Sequence, residues 1–308
     1  MSDPAASAAL HGAQPAAVQA QLRRAAQAGE APWLHREVAR RMAERLAIVK
    51  ASPDCVIDWW SVRGGGRTAL QAQYPEARIE MVEPTPALAE RSRLGARAPW
   101  WTPRRWLRPP PPAWLEPDAP RDGRAGLLWS NMMLHWAADP APVFERWREA
   151  VSVGGFVMFS CFGPDTLREL HALYRRLGWG VPGHAFIDMH DLGDALVQAG
   201  FADPVMDMET LTLTWADAPA ALAELRGLGS NAAGSRLAGW RTPRWQARLL
   251  DELQSALAGP DGRLSLSFEI VQGHAFQPPP RLRVAAETRV PVETLRRLAR
   301  AGQRPPTP

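Results

Sequence analysis

Apolar residues at Leu34, Val38, Met42 and Leu46 recur every four positions through "PWLHREVARRMAERLAIVK", a spacing that predicts a helix laying one face on a core. After "ASPD" the run "CVIDWW" is short, continuous and partly β-branched, and reads as a buried strand. Gly64, Gly65 and Gly66 then turn the chain into a helix, "RTALQAQY", halted by Pro75, and "RIEMVE" forms a second strand that closes on Glu83 before Pro84. The alternation continues with a strand at "AGLLWSNM", a helix at "APVFERWREAV" with Val143, Trp147 and Val151 four apart, and a buried strand at "GGFVMFSCF". Strands and helices in turn predict βαβ units, so the expected fold class is α/β, a doubly wound sheet.

Further on, "TLRELHALYRRLG" places Leu167, Leu170, Tyr174 and Leu177 on one helical face, and "DMHDLGDALVQAGF" is a helix stopped by Gly200. The stretches "DPVMDMETLTLTW" and "LSLSFEIVQGHAF" alternate as strands do, with helical "APAALAELRGLG" and "TPRWQARLLDELQSAL" between them. Before "AGLLWSN", the segment "PWWTPRRWLRPPPPAWLEPDAPRDGR" holds too much proline for helix and reads as a long surface loop. Its Trp100, Trp101, Trp106 and Trp114 are unusual as core, so residues 99–120 are a candidate contact for a protein partner. Residues 1–30 and the Pro/Arg-rich chain from Gln277 lack such periodicity. The expected division is a flexible segment 1–30, one domain 31–276 and a tail 277–308.

A chain of 308 residues, 46% hydrophobic, buries one substantial core. Its 36 Lys+Arg against 32 Asp+Glu leave a net charge of +4, and Lys50 is the only lysine. The arginines are dispersed apart from Arg104, Arg105 and Arg108 and from Arg296, Arg297 and Arg300, so no nucleic-acid partner is expected. No apolar run approaches the roughly 20 residues that span a bilayer, and the first 30 residues contain no apolar signal region. Cys55 and Cys161 lie inside apolar runs, as reduced thiols do. A cytoplasmic protein without a membrane partner is expected. Two cysteines cannot by themselves hold an iron–sulfur cluster, and no metal is expected.

A strand, a glycine turn, a helix and a second strand ending in an acid together seat an adenosine cofactor. Backbone N–H groups at the helix start face the ligand's charged part, and the acid accepts from ribose hydroxyls. Glu83 follows Gly64 by 19 residues, near the spacing of about 20 that this arrangement uses. Asp58, Gly64 and Glu83 are therefore candidate cofactor-binding residues, joined by Asn131 at the end of "LLWSN", where open α/β sheets bind ligands. Asp58 can equally cap the loop after its strand, and Asn131 can equally satisfy loop backbone. His135, beside Trp136, reads as packing rather than as a general base. Arg168 is the candidate catalytic residue, able to hold a substrate carboxylate in a bidentate fork. Asp165 and Asp188 precede helices and fit N-caps.

The stretches "LLWSNMMLHWAADP", "GGFVMFSCFGPDTLREL", "FIDMHDLGDALVQAGFADPVMDMETLTLTW" and "FEIVQGHAF" resemble, in order, the BioC family of malonyl-carrier-protein O-methyltransferases of biotin synthesis. The resemblance runs from about Leu34 to Phe276. It implies a class I methyltransferase fold of seven strands. It further implies S-adenosyl-L-methionine as cofactor, the free carboxylate of malonyl-acyl carrier protein as substrate, and a segment between residues 165 and 190 that helps to cover the active site. The central block also resembles the mitochondrial complex I assembly factor that hydroxylates an arginine, which implies a different reaction on a related fold.

The family pattern Asp-x-Gly-x-Gly-x-Gly keeps Asp58 and Gly64, but Trp60 and Val62 stand where the first two glycines belong. A Cβ there meets the cofactor or forces an unfavourable φ, so the Trp60 indole is expected to intrude on the methionine half of the pocket. The family's cofactor-covering Tyr-Asp pair is missing near Gln27 to Glu30. Gly126 replaces the acid that opens the fourth strand, and "APWWTPRRW" stands where an aspartate reaches the adenine. These departures imply an alternative function: a methyltransferase-fold binding or assembly protein with impaired catalysis.

Overall fold

The computed structural model describes residues 12–97, 110–236, 242–280, 292–293 and 296. The chain divides into a unit Met1–Pro278 and a short unit Pro279–Pro308, most of which lies outside the described residues. In the first unit, α1 (Pro15–Gln27) and α2 (Trp33–Leu46) precede β1 (Cys55–Trp59). A single helical turn, α3 (Ser61–Gly64), and α4 (Arg67–Gln73) lead to β2 (Arg78–Glu83), and α5 (Pro86–Ala96) leads to β3 (Ala113–Leu115). Next come β4 (Ala125–Ser130), α6 (Ala141–Ala150), β5 (Val151–Phe162), α7 (Arg168–Leu177), α8 (Met189–Ala199) and β6 (Ala202–Trp215). The helices α9 (Ala218–Leu228) and α10 (Pro243–Leu257) bring the chain to β7 (Leu264–Phe276).

The seven strands form one sheet in the order β3-β2-β1-β4-β5-β7-β6. The first five pair in parallel, and β7 runs antiparallel between β5 and β6. From β1 the chain crosses one way to β2 and later the other way to β4, which makes the C-terminal end of β1 the point where the winding reverses. Open α/β sheets bind ligands at that point.

Alternation along the strands feeds two apolar layers. Val56, Leu127, Trp129, Phe156 and Met158 pack with Leu34, Val38, Met42 and Leu46 of α2, all four of which are fully buried as their spacing predicts. Ile57, Leu128, Val157 and Phe159 pack on the other face with Leu88, Phe144, Trp147 and Leu192. On α6 the buried positions are Phe144, Trp147 and Ala150, while Val151 already opens β5. The helix phase thus sits one residue from the Val143 register that the spacing suggests.

Two stretches differ from their sequence reading. Within the segment expected to be loose, residues 15–27 form α1, which buries Leu22 and Ala25. Alanine-rich sequence gives little periodic contrast, yet the helix is tied down from outside: Gln14 N–H donates to the Ala232 carbonyl at 2.8 Å, and Arg91 donates to the Ala25 carbonyl at 2.8 Å. Within the proline loop, Ala113–Leu115 add β3 to the sheet edge, with Trp114 opposite Val82 and its indole N–H on Glu80 at 2.8 Å. Three residues are too few to show a period, and an edge strand tolerates proline beside it. Trp114 is therefore part of the sheet. Trp100, Trp101 and Trp106 lie outside the described residues. Among the described residues no helix is long and apolar enough to cross a membrane.

Candidate functional site

The C-terminal ends of β1, β2 and β3 carry the residues expected to hold a nucleoside. Trp60 follows β1 directly and keeps a left-handed backbone, φ 59 and ψ 48, the conformation that a glycine would take without strain. For a tryptophan that conformation costs about 1–2 kcal/mol. Its N–H donates to the Val82 carbonyl at 2.7 Å, fixing the turn to β2. The indole is buried among the side chains on the β1–β2–β3 side, and its Nε1–H donates to Glu116 Oε1 at 2.7 Å. Glu116 lies on the turn after β3, and the same oxygen accepts the Trp59 indole at 3.0 Å. Trp60 thus reaches from the tip of β1 to the residue just past β3.

Glu83, at the tip of β2, lies opposite Leu115 of β3 and is fully buried. Its Oε1 accepts the Val62 N–H at 2.9 Å and the Ser92 hydroxyl, while Oε2 has no protein partner among the described residues. Burial pushes its carboxyl up to about 8, against the lowering effect of the Ser92 and Val62 hydrogen bonds, with the nearby Asp58 and Glu116 charges adding to the rise. Asp58 is also fully buried. It accepts the Ser61 hydroxyl at 2.5 Å, and burial raises it to about 6 despite that bond and the Arg67 charge. The acid expected from sequence spacing stands at the tip of β2 with Oε1 turned to the loop and Ser92, and with Oε2 unpartnered among the described residues.

Gly64 and Asn131 meet one another. A Cβ on Gly64 would lie 3.1 Å from the Asn131 carbonyl oxygen, so the glycine permits a close backbone approach. The Asn131 amide donates to the Gly64 carbonyl at 2.5 Å and to the His35 carbonyl at 2.7 Å, and its Oδ1 accepts the Ser160 hydroxyl at 2.7 Å. Asn131 clamps α3 to α2 and β5. Gly126, opening β4, has Pro53 2.8 Å from where a Cβ would stand. An acid at that position would need Pro53 to move.

Arg168 stands at the first position of α7 with its side chain 58% exposed, paired with Glu169 at 3.3 Å. The phase that buries Leu170, Leu173 and Tyr174 turns residue 168 outward. Asp188 is the N-cap of α8, accepting the His190 N–H at 2.8 Å. Asp165 instead donates its own N–H to Glu269 at 2.8 Å.

Beyond β4 and β5 the molecule is open. A cavity of about 220 Å³ lies beneath α7, α9 and α10, walled chiefly by Leu170, Tyr174, Leu222, Leu225, Trp245 and Phe268. A second, of about 250 Å³, runs toward Leu134, Ile187 and Leu192. His135 and Phe162 line both, and neither cavity is lined by Asp58, Gly64 or Glu83. Arg63, on α3, donates to the Leu228 carbonyl at 2.9 Å, joining the glycine loop to the end of α9. The sequence reading gave no weight to Glu116, Ser92 or Arg63. Each acts across more than a turn of chain, where residue spacing carries no signal.

No family model matches the chain. Among the solved structures that share the fold are the YcgJ protein of Bacillus subtilis, 10% identical with a TM-score of 0.52 over 78% of this chain and 98% of that one, and a protein of Bacillus halodurans described as a candidate methyltransferase, 13% identical with a TM-score of 0.52 over 77% and 99%. Sequence relatives are nearer. The malonyl-acyl-carrier-protein O-methyltransferase of Nitrosospira multiformis is 36% identical over 272 residues, 84% of this chain and 88% of its own. That of Laribacter hongkongensis is 37% identical over 268 residues, 85% and 88% of the two chains. That of Halorhodospira halophila is 36% identical over 275 residues, 88% and 91%. Identity at this level over nearly the whole length, on the sheet order just described, leaves one assignment: the chain belongs to the malonyl-acyl-carrier-protein O-methyltransferase family.

Proposed function

We propose that this chain methylates the free carboxylate of a malonyl unit borne on acyl carrier protein, with S-adenosyl-L-methionine as methyl donor. The observation that carries the reading is the near full-length identity to the relatives so named. When bound, the donor supplies a methyl group on a sulfonium, whose departure as a neutral thioether needs no acid. A protein performing this transfer must mainly align the two reactants and exclude water. The absence of a triad among the candidate residues is in keeping with that requirement. The apolar cavity beneath α7, α9 and α10 supplies the exclusion, and its walls suit an acyl thioester better than a polar metabolite.

The residues at the tips of β1, β2 and β3 do not fit the donor as they stand. Glu83 Oε1 is held by the Val62 N–H and the Ser92 hydroxyl while its Oε2 has no protein partner among the described residues, and the Trp60 indole N–H is bound to Glu116. For Asp58 and Glu83 to serve as cofactor-binding acids, Trp60 has to leave Glu116. Gly64 and Asn131 hold the loop through their mutual contact.

The second reading, in which the fold persists as a binding or assembly protein without turnover, rests on that misfit alone and is not favoured by the curated relatives. Arginine hydroxylation gains no support from the curated relatives, which are O-methyltransferases. Calorimetric titration with S-adenosylmethionine and S-adenosylhomocysteine, followed by incubation of malonyl-acyl carrier protein with labelled donor, separates the two readings. Binding with formation of a methyl ester supports the first. Failure to bind either nucleoside at millimolar concentration, with no ester formed, supports the second.

A further inference from the structure

The wall of the cavity beneath α7, α9 and α10 carries several polar side chains, and the fold occupies most of them. The Thr166 hydroxyl bonds the Glu269 backbone, the Asn231 amide bonds the Val181 carbonyl and the Ala233 N–H, and Ser230 accepts from Arg24. His184 donates its Nε2–H to the His135 carbonyl at 2.8 Å. Arg226 and Gln246 stand at the exposed mouth.

His135 is different. The ring is 93% buried between Phe162 and Trp136, with centroids 4.6 and 5.3 Å away, and it borders both cavities. The Phe162 N–H lies 3.4 Å from Nδ1, and a backbone N–H can only donate. Nδ1 is therefore the lone-pair nitrogen and the proton sits on Nε2. That Nε2 is buried and has no protein partner among the described residues. His35, on the other side of Phe162, shows the opposite state: its Nδ1–H donates to the Arg63 carbonyl at 2.9 Å, which leaves its Nε2 bare. Of these two imidazoles, His135 is the one whose free nitrogen donates.

We propose that the Nε2–H of His135 receives the free carboxylate of the acyl group inside this cavity, an inference that rests on the malonyl reading above. A carboxylate moved from water into an apolar chamber needs a donor and a compensating positive field. The donor is the His135 N–H. The field comes from Arg63, whose guanidinium has no carboxylate partner among the described residues and bonds the carbonyl of Leu228, a cavity-lining residue. Burial first, then the charges of His35, His184 and Arg63, hold the His135 imidazole neutral. Burial opposes charge of either sign, so of these causes it is the Arg63 charge that favours an anion beside the ring. The sequence reading of His135 as packing holds for its carbon edge and not for Nε2.

The test is calorimetric titration of the full chain with malonyl-pantetheine and with acetyl-pantetheine, which lacks the carboxylate. His135→Phe is expected to weaken malonyl-pantetheine binding by roughly tenfold or more, the value of a hydrogen bond to a charged group, and to leave acetyl-pantetheine unchanged. His135→Gln keeps an N–H and is expected to restore most of the difference. In the unsubstituted chain, nitrogen-15 NMR is expected to show His135 protonated at Nε2 and shifted by malonyl-pantetheine. An unchanged malonyl affinity in His135→Phe, equal losses for both thioesters, or a His135 signal indifferent to the ligand overturns the inference while leaving the malonyl reading intact. If the unsubstituted chain does not prefer malonyl-pantetheine over acetyl-pantetheine, the malonyl reading fails and this inference with it.

Discussion

The two halves of the site are built on opposite terms. At the tips of β1, β2 and β3, the chain binds one oxygen of each acid and the Trp60 indole itself: Trp60 with Glu116, Glu83 Oε1 with Val62 and Ser92, Asp58 Oδ2 with Ser61. Beyond β4 and β5, the chain walls a chamber with apolar side chains and leaves the buried Nε2–H of His135 without a protein partner among the described residues. The closed half is where the sequence departs from its family, at Trp60 and Val62. The sheet is the same in both halves, so the difference lies in the side chains placed on it. Large residues in a glycine loop supply contacts of their own, so a ligand entering this seat has to compete with the Trp60–Glu116 hydrogen bond.

The contrast between the two halves can be broken or sharpened by substitution. The largest effect is expected from Asn131→Ala, which strips three hydrogen bonds from the clamp and leaves the Gly64 and His35 carbonyls buried without that donor. A stability loss of about 3 kcal/mol should appear in urea unfolding, and a loss under 1 kcal/mol would show that Asn131 does not hold the loop. Next comes the paired change Trp60→Gly and Val62→Gly, which restores the family's glycines. S-adenosylmethionine affinity is expected to rise roughly thirtyfold, a gain of about 2 kcal/mol. Equal calorimetric affinities before and after the change would mean that the indole does not close the seat.

Glu83 gives a pH signature. Its carboxyl is raised to about 8 in the folded chain from an ordinary 4.5, so between those values the folded state binds more protons than the unfolded one. Its contribution to stability is complete at low pH and declines as pH rises from 4.5 toward 8, where it levels off. Glu83→Gln should remove that decline and leave the variant relatively more stable at pH 8.5 than at pH 5, read as unfolding midpoints at the two values. A parallel pH profile in the variant would place the titration elsewhere. The smallest effect belongs to Arg168→Ala. An exposed pair with Glu169 contributes under about 0.5 kcal/mol, and malonyl-pantetheine affinity should not change. A tenfold loss of that affinity would return Arg168 to the site.

Much of this arrangement was legible before any coordinates. The four-residue spacing of Leu34 to Leu46 found α2, and the acid 19 residues beyond Gly64 found the tip of β2. What Glu83 touches was not legible, because Val62 N–H and Ser92 reach it through a turn and a helix whose directions no spacing encodes. For Arg168, residue type suggests a carboxylate fork, while the helical phase, which no residue type encodes, faces it to solvent beside Glu169. His135 reads as packing in the sequence, because the state of its ring depends on the Phe162 N–H, 27 residues away.

The chain alone determined the alternation of strands and helices, the place of the acid and the intrusion of two bulky residues into a glycine loop, because each is a local matter of period or neighbour. Only the tertiary structure decided that the Trp60 indole turns to Glu116, 56 residues on, and that a chamber remains beneath α7, α9 and α10. A side chain's direction is set by which distant groups can satisfy it once the backbone is packed. A cavity exists where the packing of several elements leaves a remainder, and neither outcome is a property of any one segment.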